Sequence, residues 1–123
     1  MIGYVTLGVK DLAAAKAFYL ELLADMHVQL IFDMDRIAMI GRPGEPMLSV
    51  CVPYNEEAPS AGNGNMVALA PGSTEAVDKL YAKAISMGAT SDGEPGWRIE
   101  GVFYGAYFFD KDGNKVCFFF MPS

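Results

Sequence analysis

The sequence predicts an α+β chain made of two copies of one module, each a strand, a helix and then three strands (βαβββ). Three observations carry this. Residues Tyr4–Val9 alternate as a half-buried strand does and lead into an apolar stripe at helical spacing between Leu12 and Leu23. Offsetting the first half by 62 residues carries Val5-Thr6-Leu7 onto Val67-Ala68-Leu69, Asp11 onto Ser73 and Phe18-Tyr19 onto Leu80-Tyr81. An offset of 69 carries the Pro43-Gly44 turn onto Asp112-Gly113, a preferred hairpin dipeptide, so the second half holds about seven extra residues before its last hairpin.

Module one spans about 1–53. In its first strand Val5, Leu7 and Val9 share one face, and Tyr4, Thr6 and Gly8 the other. Asp11 offers a capping carboxylate, and Leu12, Ala15, Phe18, Tyr19, Leu22 and Leu23 form the buried stripe of a helix ending near Asp25. Strands follow at Val28–Phe32 and Arg36–Ile40, joined across Asp33-Met34-Asp35. A third, Met47–Val52, comes after the turn Gly41-Arg42-Pro43-Gly44. Proline, glycine and small polar residues mark a linker over about 54–64.

Module two spans about 65–123. Ser73 caps a helix over Thr74–Met87 with Val77, Leu80, Tyr81, Ala84 and Ile85 on one face, and Gly88 stops it. Gly101–Phe109 and Lys115–Met121 flank the Asp112-Gly113 turn as a hairpin. Pro95-Gly96-Trp97-Arg98 read as a loop before that hairpin. The two modules make one domain, 1–123, because a small sheet with one helix on one face does not close a core alone. The other sheet face is free to curve into a cleft.

Composition excludes several function classes. Fifteen acidic residues against nine basic ones give a net charge of −6, so nucleic acid is a poor partner. The longest apolar stretch, Gly101–Phe109, is too short to cross a membrane. The opening residues show no basic region followed by an apolar core, so the expectation is a cytoplasmic protein with two reduced, buried thiols, Cys51 and Cys117. An apolar fraction of 52% with 20% charged residues points to a homodimer.

Residues that could carry chemistry are few. His27 is the only imidazole, which leaves neither a multi-histidine metal site nor a histidine-activated nucleophile. Asp110-Lys111-Asp112-Gly113-Asn114 has its glycine fourth, where a calcium loop needs it sixth, so it reads as a turn. The glycines of Gly62-Asn63-Gly64 and Gly41–Gly44 lack the lysine and hydroxyl partners of a phosphate loop. Cys117 lies among phenylalanines, which raise a thiol's pKa, so it reads as a packed or pocket-lining thiol. Val116, Phe118 and Phe120 are expected to face the helices, leaving Cys117, Phe119 and Met121 on the other side. Trp97 and Arg98 are candidates for an aromatic and cationic lip on the cleft.

At Tyr4-Val5-Thr6-Leu7-Gly8-Val9-Lys10-Asp11-Leu12, with Phe18-Tyr19 after it, the chain resembles the vicinal oxygen chelate superfamily of glyoxalases, bleomycin-resistance proteins and extradiol dioxygenases. Gly62–Leu69 is similar to the family's opening of the second module, and Asp110–Val116 to its last hairpin, so the resemblance covers essentially the whole chain. It implies that the modules form a curved mixed sheet around a cleft. In the family's metal enzymes, histidines and glutamates from the first and last strands of the modules hold a divalent ion. The matching positions here are Tyr4, Met66, Cys117 and approximately Leu48, none of which is His, Asp or Glu. The expectation is therefore no metal and no cofactor.

The resemblance then implies metal-independent binding of a small, partly apolar molecule. The expected lining is Tyr4, Thr6, Leu48, Met66, Ala68, Cys117 and Phe119, with Trp97 and Arg98 at the lip. Net negative charge favours a cationic ligand. The alternative is a lyase, isomerase or dioxygenase of the same superfamily with a noncanonical site, in which the Tyr4 hydroxyl is the candidate acid. A fold retained for subunit association alone is a third reading.

Overall fold

The computed structural model describes residues 1–123. They divide into two compact units, Met1–Ala61 and Gly62–Ser123, with the boundary inside the expected linker. The first unit runs β1 (Tyr4–Gly8), α1 (Leu12–Leu22), a short 3-10 turn (Ala24–Met26), β2 (Gln29–Asp33), β3 (Ile37–Gly41) and β4 (Met47–Cys51). The second runs β5 (Val67–Leu69), α2 (Thr74–Ser86), β6 (Thr90–Ile99), β7 (Phe103–Phe109) and β8 (Lys115–Phe120). Each is a βαβββ module with one four-stranded mixed sheet, ordered β1-β4-β3-β2 and β5-β8-β7-β6. In each, the first strand pairs parallel with the last, and the other pairs are antiparallel.

Both helices start where their caps predict. Asp11 Oδ1 accepts the Ala14 N–H at 3.0 Å, and Ser73 Oγ accepts the Ala76 N–H at 3.1 Å. Each bond satisfies an N–H that has no carbonyl partner in the first turn, worth roughly 1 kcal/mol. In the first unit Ala15, Tyr19 and Leu22 of α1 are buried, as are Leu7, Ala38, Ile40, Leu48 and Val50 of the sheet. In the second, Val77, Leu80 and Ala84 of α2 are buried with Ala106, Phe108, Val116 and Phe118. At about 1.5–3 kcal/mol for each large apolar side chain, the helix–sheet layer stabilises each unit within itself.

Several boundaries differ from expectation. α1 ends at Leu22, and His27 then takes a left-handed φ of 60° that closes the short turn after it. The last hairpin begins at Phe103 rather than Gly101, because Gly101 has φ 71° and belongs to a turn in which Val102 N–H donates to the Ile99 carbonyl. The largest correction concerns Pro95–Arg98, expected as a loop, which lie within β6. Register shifts between Ser91 and Gly93, Gly93 and Gly96, and Trp97 and Ile99 erase the two-residue period there. β6 is also an edge strand, where the N–H that Pro95 lacks need not pair. β6 is five residues longer than β2, and α2 and β7 are each two longer than α1 and β3, while three fewer residues separate α2 from β6 than α1 from β2, so the second module gains six residues before its last strand where about seven were expected.

The Asp110–Asn114 segment is a turn, as expected. Asp110 Oδ1 accepts the N–H groups of Asp112 and Asn114, both at 2.9 Å, so the carboxylate fixes the β7–β8 connection.

Candidate functional site

Strand alternation gives each sheet a face toward its helix and a far face away from it. In the first unit Tyr4 pairs with Met47 and Thr6 with Ser49, and Met39 lies opposite Ser49, so these five residues share the far face. Leu48 pairs with Val5 and is 4% exposed among the helix-facing residues. This corrects its expected place in the lining: a one-residue step reverses the face, and Ser49 stands where Leu48 was assigned. Ser49 Oγ is buried and has no hydrogen-bond partner. The far-face positions of β1, β3 and β4 carry no charged side chain.

In the second unit Ala68 pairs with Cys117, Cys117 with Tyr107, and Tyr107 with Gly93, making one row across the far face. Gly96, Gly105 and Phe119 make the next row. Met66 stands one residue before β5 and is exposed. The Phe103 and Phe119 rings stack, 5.5 Å apart and 2° from parallel. Arg98 and Lys115 both bring their charge to the Tyr107 ring, each 5.2 Å from its centre. Lys115 is ion-paired with Asp92 at 2.8 Å; hydrogen bonding to Asp92 raises its pKa, with desolvation opposing. Arg98 is exposed and makes no ion pair; its guanidinium donates to the Glu94 carbonyl.

Glycines make room for this group. A Cβ on Gly93 would come within 3.0 Å of Tyr107 Cδ2 and 3.2 Å of Arg98 Nη2, and one on Gly96 within 3.2 Å of Arg98 Nη1. A Cβ on Gly105 would lie 2.9 Å from Phe103 Cε1 and 3.3 Å from the Tyr107 hydroxyl. The guanidinium thus lies back along its own strand over Gly93 and Gly96, while the hydroxyl of Tyr107 leans over Gly105.

Trp97, expected beside Arg98, is on the opposite side of the sheet. It pairs with Tyr104, their rings meet edge to face at 5.2 Å, and the Tyr104 hydroxyl donates to Asp78 on α2. Neighbours in a strand face opposite ways, which the loop reading concealed. Arg98, Cys117 and Phe119 do come together, joined by Tyr107, Lys115 and Phe103, which the sequence reading did not single out. Counting outward from Asp112-Gly113 as a two-residue turn would have set Tyr107 opposite Phe118; the five-residue connection 110–114, which pairs Phe109 with Lys115, sets it opposite Cys117.

Cys117 is buried, and desolvation raises its pKa against smaller opposing effects from the Ala106 backbone, Tyr107, Arg98 and Lys115, so it is a neutral thiol at pH 7. His27 is exposed in its turn. No group of three or more His, Cys, Asp or Glu side chains is assembled for a metal. Tyr4, Met66, Cys117 and the Leu48 position offer a phenol, a thioether, a protonated thiol and a hydrocarbon, which do not fit the divalent ion that the resemblance implies.

Twin βαβββ modules, each with a sheet covered by one helix, define the class of fold. The Glyoxalase/Bleomycin resistance protein/Dioxygenase superfamily model matches residues 1–118, and the chain belongs to that family. It is similar to a glyoxalase/bleomycin resistance protein from Albidiferax ferrireducens T118, with 32% identity, 99% of each chain covered and a TM-score of 0.89. A glyoxalase/bleomycin resistance protein/dioxygenase family enzyme from Burkholderia phytofirmans PsJN shares 22% identity over 98% of each chain, with a TM-score of 0.80. A glyoxalase-related enzyme from Fulvimarina pelagi shares 20% identity, covering 99% of this chain and 88% of its own, at a TM-score of 0.78. Among curated proteins none matches. No helix is long and apolar enough to cross a membrane.

Proposed function

We propose that this chain is a binding member of its family that takes a small, partly apolar molecule on the far face of the β5–β8 sheet, without the family's divalent ion. The observation that carries this reading is the Arg98–Tyr107 pair, seated over glycines beside the stacked rings of Phe103 and Phe119. An apolar surface with a few fixed polar groups is what small-molecule sites are built from. The net charge of −6 favours cations at long range, but on this face a cation meets Arg98 and Lys115. Association into a homodimer is part of the same proposal, supported by the exposed large apolar residues Tyr4, Phe32, Ile99 and Val102.

The test is an amide-resolved NMR titration with a panel of one-ring and two-ring compounds, alongside thermal shift. A ligand at 100 times its Kd stabilises the fold by about 2.7 kcal/mol, enough to raise Tm by several degrees. The expected result is saturable shifts concentrated in β6, β7 and β8. A panel that shifts nothing, or shifts only residues outside these strands, overturns the proposal.

A further inference from the structure

We infer that Arg98 is a carboxylate receptor, and that the ligand is a monoanion carrying about one ring's worth of apolar surface; this deepens the proposed function and rests on it. Charge is the first argument. The far face of the second sheet brings together two cations, Arg98 and Lys115, and one anion, Asp92. Asp92 is committed to Lys115 at 2.8 Å, so the uncompensated charge is that of Arg98. A guanidinium has five N–H donors in a planar fork, and Arg98 commits one to the Glu94 carbonyl. The others remain for a partner, and a carboxylate is the acceptor whose two oxygens match the fork.

The seat of the guanidinium is the second argument. An exposed arginine with no function beyond solubility samples many rotamers, at no benefit from a tailored surface. Here Gly93 and Gly96 lack the side chains that would press on Nη2 and Nη1, and the Tyr107 ring backs the cation at 5.2 Å. The Glu94 carbonyl holds it from a third direction. A cation held in this way has lost part of its rotamer freedom before a ligand arrives, which lowers the entropic cost of binding.

Spacing sets the ligand's size. Gly96, Gly105 and Phe119 lie side by side on three adjacent strands, so Phe119 is two strand spacings, about 10 Å, from the glycine under Arg98. A carboxylate on Arg98 with a single ring attached reaches toward the Phe103–Phe119 pair. A phosphate monoester carries close to two charges at pH 7, against one uncompensated cation, which favours the carboxylate.

The experiment compares four single-ring probes on the full chain by NMR titration and calorimetry: benzoate, its isostere benzamide, benzylamine and phenyl phosphate. Benzoate is expected to bind at least about tenfold more tightly than benzamide or benzylamine, as a charge-assisted bidentate contact implies. That ratio should fall to about twofold or less in Arg98→Gln and be intermediate in Arg98→Lys, since lysine keeps the charge but loses the fork. In the unsubstituted protein, the Arg98 Nε–Hε signal should move with benzoate and stay still with benzamide, a readout independent of whether either variant folds. Equal binding of benzoate and benzamide, a static Arg98 signal, or tighter binding of phenyl phosphate overturns the carboxylate assignment and leaves the proposed function standing. If no probe and no member of the wider panel binds at β6–β8, the proposed function itself fails.

Discussion

Replacing Gly105 by alanine plants a Cβ 2.9 Å from Phe103 Cε1 and 3.3 Å from the Tyr107 hydroxyl, at a buried position between two paired strands. Neither neighbour yields freely, because Phe103 stacks on Phe119 and Tyr107 lies against Arg98 and Lys115. Overpacking of this kind costs roughly 1–3 kcal/mol. The loss of chain freedom in the unfolded state returns about 0.4–1 kcal/mol. The net is a destabilisation of about 1–2 kcal/mol. Gly96→Ala is the matched control. Its new Cβ would meet only the end of the Arg98 side chain, at 3.2 Å, which can shift by a few tenths of an ångström, so stability should change by less than about 1 kcal/mol. Urea unfolding followed by far-ultraviolet circular dichroism reads both as midpoint shifts at constant slope. A Gly105→Ala protein as stable as the parent, or a Gly96→Ala protein that loses as much as Gly105→Ala, would refute the account of these glycines as seats for side chains.

The pH dependence of stability should show Tyr104. Its hydrogen bond to Asp78 is the largest cause of a raised pKa, so its contribution is fully present below the ordinary tyrosine value of 10.0 and is lost as pH rises through the higher folded value. Absorbance at 295 nm should then show a late-ionising tyrosine that moves down in Asp78→Ala; an unchanged titration curve would contradict this. Iodoacetamide at pH 7.5 should label Cys51, which is partly exposed, before Cys117, which is buried with a raised pKa. Peptide mass spectrometry showing the reverse order would contradict the burial of Cys117. Tag-free protein dialysed against a weak chelator should carry well below one transition-metal ion per chain by plasma mass spectrometry, and a stoichiometric metal would require donors other than Tyr4, Met66, Cys117 and the Leu48 position.

What could be read from the sequence was what local physics determines. The Asp11 and Ser73 caps, the helix stripes at Tyr19 and Leu80, and the Asp112-Gly113 turn each act within a few residues, and each sits where it was expected. Register is not local. The pairing of Tyr4 with Met47 decides that Ser49, and not Leu48, joins Thr6, and nothing within either strand states that pairing. β6 was hidden for a related reason: its bulges serve the seat of Arg98, and a strand bent to hold a side chain no longer shows a strand's period. The part of the chain that departs from regular structure is thus the part that carries the candidate site.

The opposed indications of charge can be weighed by distance. At physiological ionic strength an exposed charge is screened over about 8 Å, so most of the fifteen acidic residues act on a bound ligand only as a weak average field. Arg98 would act at contact. Two unit charges 4 Å apart interact by about 4 kcal/mol at the effective dielectric of a protein surface, before desolvation and side-chain entropy are set against it. Net charge therefore bears on which molecules approach the protein, and Arg98 on which of them stays. A ligand chosen by net charge alone would be a cation, and a ligand chosen at the far face of the second sheet is an acid. Raising the salt separates the two: the rate of association should respond to the whole chain's charge, whereas preference for benzoate over benzamide at equilibrium should weaken but persist.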